Sequence, residues 1–197
     1  MTNLTLQVNL KIMTKLAEHL LTTGEIAVIP TDTVYGVVAR VIDRRAVDRL
    51  YKLKHREAKP GTLVAANTKQ LIDIGIKPEY LMALEYLWPG AISVIVPSGE
   101  NLSYVHQGVG SLAVRIPDDK WLHELLLQTG PLLTSSANQP GEPPATTVAE
   151  AKAYFGDHVT CYQDGGTVNR APSTVVEIID GSIKVVRQGA VKLTSFK

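Results

Sequence analysis

The chain has a single cysteine, Cys161. One thiol makes no internal disulfide and cannot build a cysteine-rich zinc module, and such sparing use fits a reducing compartment. Excess charge is also missing: 20 Lys and Arg against 19 Asp and Glu leave a formal net charge of +1. Bulk composition therefore gives no argument for binding nucleic acid or a membrane surface, and any such contact must come from a local patch. No apolar run approaches the roughly 18 residues that suggest a membrane span. The N-terminal stretch MTNLTLQVNLKIMTKL has neither the long apolar segment nor the small-residue cleavage site of a signal peptide. Nucleophile and metal signatures are missing too: no G-x-S-x-G elbow, no H-E-x-x-H, no Walker A loop and no G-x-G-x-x-G. The five histidines, His19, His55, His106, His123 and His158, are scattered. With 197 residues and 45% apolar content, residues 1–197 are expected to form one cytoplasmic domain with a proper core.

What is present is an interleaving of helix and strand patterns. Leu6, Leu10, Met13, Leu16 and Leu20 recur at helical spacing, with Gly24 as a stop. EIAVIP and VYGVVARV read as buried strands. Asp43 is placed to cap a helix running to about Lys54, and Thr68 and Thr147 to cap two more. TLVAA, AISVIV, LAVRIP, PLLTSS and DHVTCYQ read as strands, and residues 78–88 and DKWLHELLLQTG as helices. STVVEIIDGSIKVVRQG reads as a hairpin turning at Asp180-Gly181. The class expected is α/β, a mixed sheet covered by helices.

Polar clusters fall where apolar strands end, which is where open α/β sheets tend to build ligand sites. In PTDTVYG, Thr31, Asp32 and Thr33 offer hydroxyl and carboxylate partners and Gly36 admits a close backbone approach; a simple turn explains them equally. In LKHREAKPG, Lys52, Lys54, Arg56 and Lys59 suit either a solvated helix end or a phosphate clamp. Arg115 in SLAVRIP lies on the face of Ala113, and when buried it needs a partner, either an internal carboxylate or one from a ligand. Thr134, Ser135, Ser136 and Asn138 form a hydroxyl-rich turn that can cap or can bind an anion. Read unaided, these clusters reach a polar, cationic pocket for an anionic ligand and no particular reaction.

Taken in order, PTDTVYG, KHR…KPGTLVAAN, WPGAISVIV, SLAVRIPD, LLTSSANQPGEPPATT and STVVEI…VVRQGAV resemble the YrdC/TsaC family of threonylcarbamoyl-AMP synthases over nearly the whole chain. The resemblance implies a YrdC-like twisted mixed β-sheet flanked by helices (α+β in some schemes) with a concave basic ligand face. It implies a nucleotidyltransferase that makes L-threonylcarbamoyladenylate and pyrophosphate from L-threonine, bicarbonate or CO2, and ATP with Mg2+. The product would pass to a separate threonylcarbamoyl transferase complex that modifies tRNA.

The implied roles are specific. Thr33, Tyr35, Arg115, Thr134 and Ser173 would hold threonine, with Arg115 on its carboxylate. Lys54, Arg56 and Lys59 would hold the phosphates, with Lys54 and Arg56 most important for catalysis. Ser111, Ser136, Asn138 and Arg187 would meet or order the nucleotide site.

The chain departs from the family pattern in two places. Glu57 follows Arg56 where a proline is common, in a segment one residue shorter, which bears on Lys59 and sets a carboxylate beside the phosphate site. Pro144 replaces a small polar residue and removes a hydroxyl contact to ATP. The chain stops soon after Arg187, so the extra C-terminal domain of longer members is expected to be absent, with closure left to GENLSYVHQG or DGGTVNRAP. The alternatives are a double-stranded RNA-binding or ribosome-maturation protein, weak RNA binding beside the enzymatic role, an inactive paralogue that binds nucleotide only, and a carbamoyl-transfer module, whose cysteine-rich zinc motifs this chain lacks.

Overall fold

A computed structural model describes residues 3–82, 84–179 and 182–193, with side chains from residue 11 onward. Helix α1 (Asn3–Leu21) leads into the hairpin of β1 (Ile26–Ile29) and β2 (Gly36–Arg40), then α2 (Arg44–Leu53) and β3 (Thr62–Val64). Two short helices, α3 (Thr68–Asp73) and α4 (Pro78–Met82), precede β4 (Ile92–Pro97), α5 (Ser103–His106) and β5 (Ser111–Arg115). Helix α6 (Lys120–Thr129), β6 (Leu132–Ser136), α7 (Val148–Phe155), β7 (Cys161–Tyr162) and the hairpin β8 (Thr174–Ile179) and β9 (Ser182–Arg187) complete the order.

The strands form one mixed sheet in the order β7-β1-β2-β6-β3-β5-β4-β8-β9. Pairs β1–β7, β3–β5 and β4–β8 are parallel and the remainder antiparallel. Alternation along the strands splits the core in two. Val28, Val37, Leu63, Val94 and Val114 share the larger core, which Leu50 of α2, Val105 of α5 and Phe155 of α7 help to close. Ala27, Ile29, Val38, Val64 and Leu132 face α1 and α6, where Leu16, Leu20, Leu122 and Leu126 pack on them. Burying each such leucine stabilises the fold by roughly 1.5–3 kcal/mol. Helices α1 and α6 cover only part of their sheet face, and the uncovered part carries the site described below.

Asp43 caps α2 through Oδ1, which accepts from the amides of Arg45 and Ala46 at 3.0 and 3.2 Å. Its second oxygen accepts from the Gly24 amide at 2.6 Å, tying the cap to the turn after α1. Thr147 caps α7 as its position suggests. Thr68 does not cap α3; Asn67 does, its Oδ1 accepting from the Gln70 amide at 3.0 Å. The asparagine one residue earlier outcompetes the threonine, since asparagine ranks above threonine as an N-cap. The expected helix over 78–88 divides into α4 and a 3-10 turn at Glu85–Leu87. The expected strand DHVTCYQ shortens to Cys161–Tyr162 after a 3-10 turn at Gly156–His158. The Asp180-Gly181 turn lies outside the described residues, while the hairpin it joins pairs antiparallel from Val175↔Arg187 to Ile179↔Ser182.

Candidate active site

The uncovered part of the sheet face floors a cavity of about 390 Å³. Strand alternation delivers its floor: Gly36 from β2, Thr62 from β3, Ser111, Ala113 and Arg115 from β5, and Thr134 and Ser136 from β6. The register sets Gly36 against Ser136, and Thr62 against both Thr134 and Ala113. Gly36 is required by space. A Cβ there would stand 2.5 Å from Thr134 Oγ1, a distance real contacts do not tolerate. The lining combines hydroxyls, prolines and aliphatic side chains such as Ile95 and Val175 with three guanidinium groups, Arg56, Arg115 and Arg187, and has no carboxylate among its described residues. Burial pushes all three guanidinium groups below their ordinary range, yet arginine stays charged at any working pH. The cavity is therefore a cationic, hydroxyl-rich container for an anionic ligand.

At one end the β1–β2 turn is held by its own side chains. Thr31 Oγ1 donates to Val34 O at 2.7 Å and accepts from the Thr33 amide at 3.2 Å; the two threonine hydroxyls stand 3.1 Å apart. Arg115, almost wholly buried, donates from Nη2 to Asp32 Oδ1 at 3.0 Å. The question of the buried arginine thus has an internal carboxylate as its answer, while the side chain still lines the cavity. Burial raises Asp32 above the usual carboxylate range, with Arg115 only partly pulling it back.

The other end is built on the turn after β6. Ser136 Oγ donates to Asn138 Oδ1 at 2.7 Å, and Asn138 Nδ2 donates to the carbonyls of Gln139 and Glu142 at 3.0 and 2.7 Å. Lys54, at the C-terminal end of α2, donates from Nζ to Ser136 O at 2.8 Å, to Asn138 O and to Asn138 Oδ1. Burial, with Arg56 adding to it, lowers Lys54 from 10.5 to about 8. Arg187 donates from Nη2 to Ser173 O at 2.9 Å, and Ser93 Oγ donates to Ser173 Oγ at 2.9 Å.

Of the residues singled out by sequence, Thr33, Arg56, Ser111, Arg115, Thr134, Ser136, Ser173 and Arg187 line this one cavity. Tyr35, Lys54, Lys59 and Asn138 are not among its lining residues. Tyr35 is fully buried behind it, its hydroxyl accepting from the Gly165 amide at 2.9 Å and donating to Gly166 O at 2.8 Å. It fixes the 164–166 loop. Lys54 is directed into the 136–138 turn. Lys59 is exposed; its amide donates to Gln107 Oε1, and Gln107 Nε2 donates to Arg56 O, so Gln107 brackets the shortened segment. That segment turns through left-handed backbone at His55 and Ala58. Glu57 is exposed and does not line the cavity, so its charge faces solvent. Sequence reasoning missed Ser93, a lone hydroxyl in the apolar run ISVIV, and Gln107. The polar break in ISVIV was the available signal for the first; nothing local marks the second.

The chain matches the Sua5/YciO/YrdC family, described as "Telomere recombination", over residues 19–189, and it belongs to that family. It is 34% identical over 177 residues to the threonylcarbamoyl-AMP synthase of Photobacterium profundum, covering 86% of this chain and 95% of that one. Among solved structures, P. abyssi Sua5 complexed with L-threonine superimposes with a TM-score of 0.80 at 28% identity over 92% of this chain; the match spans 54% of the Sua5 chain. E. coli YciO shares the fold with a TM-score of 0.80 at 20% identity. Among the described residues, no helix is long and apolar enough to cross a membrane.

Proposed function

We propose that this chain is an L-threonylcarbamoyladenylate synthase, a nucleotidyltransferase that converts L-threonine, bicarbonate or CO2, and ATP into threonylcarbamoyl-AMP and pyrophosphate. The product is consumed by a transferase complex that modifies tRNA. The observation that carries this is one cavity of about 390 Å³ with a hydroxyl-lined arginine at one end and two further arginines beside it, in a chain 34% identical to a threonylcarbamoyl-AMP synthase. That volume is in the range of small-molecule sites.

Thr33, Thr134 and Ser173 read the amino acid and Arg115 takes its carboxylate. The amine, having lost its ammonium proton to solvent, attacks the carbon of CO2 and releases a second proton to solvent, giving a carbamate. A carbamate oxygen then attacks the α-phosphorus in line and pyrophosphate leaves. No covalent nucleophile is involved; the chain works by positioning and by holding charge on the phosphates. Arg56 and Arg187 face the nucleotide, and Ser111 and Ser136 offer it hydroxyls. Lys54 and Asn138 hold the Ser136 turn in place, and Lys59, on the surface, takes at most the phosphate tail. The described lining holds no carboxylate, and no group of three or more potential metal-ligating side chains occurs among the described residues. Mg2+ therefore fits as a partner of the ATP phosphates, carried in with the substrate.

The test is pyrophosphate release from ATP and Mg2+ by purified protein. Release that requires both threonine and bicarbonate, with serine as a poorer substrate, is the expected result. Nucleotide binding without turnover would overturn it in favour of an inactive paralogue. Neither the cavity nor the relatives favour the RNA-binding reading.

A further inference from the structure

We propose that Asp32 is a positioning residue: it fixes the direction in which Arg115 presents its guanidinium to the cavity, and so makes the site select ligands carrying an α-carboxylate over analogues that lack one. This rests on the reading of Arg115 as the carboxylate partner.

Asp32 does not line the cavity, whereas Arg115 does. Their ion pair spans 3.0 Å, with the arginine side chain 4% and the aspartate side chain 5% exposed. A pair this deep is a poor stabiliser. Both charges give up their water, and the attraction compensates only when the remaining polar atoms are also bonded. Here they are not: Asp32 Oδ2 and Arg115 Nε are buried without a hydrogen-bond partner. Apolar residues of similar volume would serve stability at least as well, so the reason for the pair lies in what it does to the cavity.

A guanidinium has five donors in a rigid plane. A carboxylate anchored on Nη2 sets that plane and decides which edge remains for a ligand. Asp32 is itself fixed. It sits in the turn that Thr31 Oγ1 closes on Val34 O and the Thr33 amide, and its carbonyl accepts from Arg170 Nη1 at 3.3 Å. Order passes from the turn to Asp32, to Arg115, to the ligand. The Asp32 charge also repels an incoming carboxylate, so a purely electrostatic role has the opposite sign: neutralising Asp32 would then tighten binding.

The experiment is calorimetric titration of L-threonine and of L-threoninol, which lacks the carboxylate, into the full chain with α,β-methylene-ATP present. The wild-type protein should prefer threonine by about tenfold or more, the size of a hydrogen bond between charged groups. Asp32→Ala should weaken threonine roughly tenfold while threoninol stays within about twofold and nucleotide affinity is unchanged. Asp32→Asn keeps the volume and an acceptor oxygen, and serves if the alanine variant does not fold; its expected loss is roughly threefold, again for threonine alone. Unchanged or tighter threonine binding in Asp32→Asn overturns the proposal. So does equal weakening of both ligands, which is what a merely structural role would give. A wild-type protein without preference for threonine removes the carboxylate reading and the Asp32 role together. The synthase reading is judged separately, by threonine- and bicarbonate-dependent pyrophosphate release.

Discussion

One face of one sheet carries two chemistries. Val38 in β2, Val64 in β3 and Leu132 in β6 lie under α1 and α6 and are completely buried. Two residues along the same strands, on the same face, stand Gly36, Thr62 and Thr134, and these floor the cavity. The ladder runs unbroken through both regions, from Arg40↔Leu132 to Gly36↔Ser136 in one pair and from Val64↔Leu132 to Thr62↔Thr134 in another. The site is thus made without special strand backbone. It is made by leaving two helices off the ends of strands whose other ends they clamp. The covered rows supply rigidity and the open rows supply chemistry, so damage to each should read out in a different quantity.

The sharpest way to break this division is from the covered side. Leu132→Ala should cost about 2–5 kcal/mol of stability, the range for emptying a well-packed leucine site. A chemical denaturation curve checks this, and turnover per folded molecule should be close to wild type. A loss of turnover in the fully folded variant would show that the two halves are not independent. From the open side, Arg56→Ala should lower turnover on the order of 10²–10³-fold, comparable to removing one donor that stabilises transition-state charge, while the melting midpoint moves little because Arg56 is only half-buried. Near-normal turnover would remove Arg56 from the phosphate site.

Gly36→Ala tests the border. The added Cβ would meet Thr134 Oγ1 at 2.5 Å, while its next neighbours lie at an ordinary 3.5 Å. Overpacking of this kind should destabilise by roughly 1–3 kcal/mol. The clash is with a single oxygen, so Thr134→Ala in the Gly36→Ala background should recover part of that loss. Denaturation of the four members of the double-mutant cycle measures the coupling. Simple additivity would mean that the contact with Thr134 Oγ1 is not what keeps a side chain out of position 36.

What could be read in the sequence was local. The caps at Asp43 and Thr147, the alternation that puts Arg115 with Ala113, and the closing hairpin all follow from residues within a few positions of one another. The polar strand ends were legible as a set, because hydroxyls interrupt apolar runs at one end of each strand. Their pairing was not. Arg115 meets Asp32 across 83 residues, Lys54 meets Asn138 across 84 and Ser93 meets Ser173 across 80. Such contacts are set by the strand order, which places β6 between β2 and β3, and no local period encodes that order. Tyr35 shows the same limit. Its place beside Thr33 suggests the pocket, yet the bent backbone of 32–34 delivers it to the larger core behind the cavity, where the 164–166 loop receives its hydroxyl.

Lys54 separates function from stability by pH. Its ammonium donates to three oxygens of the Ser136–Asn138 turn, and burial lowers it to about 8 from 10.5. Between those values the unfolded chain holds a proton that the folded chain has released, so this group's contribution to stability rises with pH across that window. Nucleotide affinity should move the other way. Above about 8 the neutral amine donates less strongly to the turn that orients Ser136, and a positive charge beside Arg56 is lost. Binding of α,β-methylene-ATP should therefore weaken severalfold as pH passes from below that value to above it, while the denaturation midpoint does not fall for this reason. In Lys54→Met the pH step in affinity should vanish, leaving weak binding at every pH. A step that persists in Lys54→Met would assign the titration to another group and leave Lys54 as a structural tie alone.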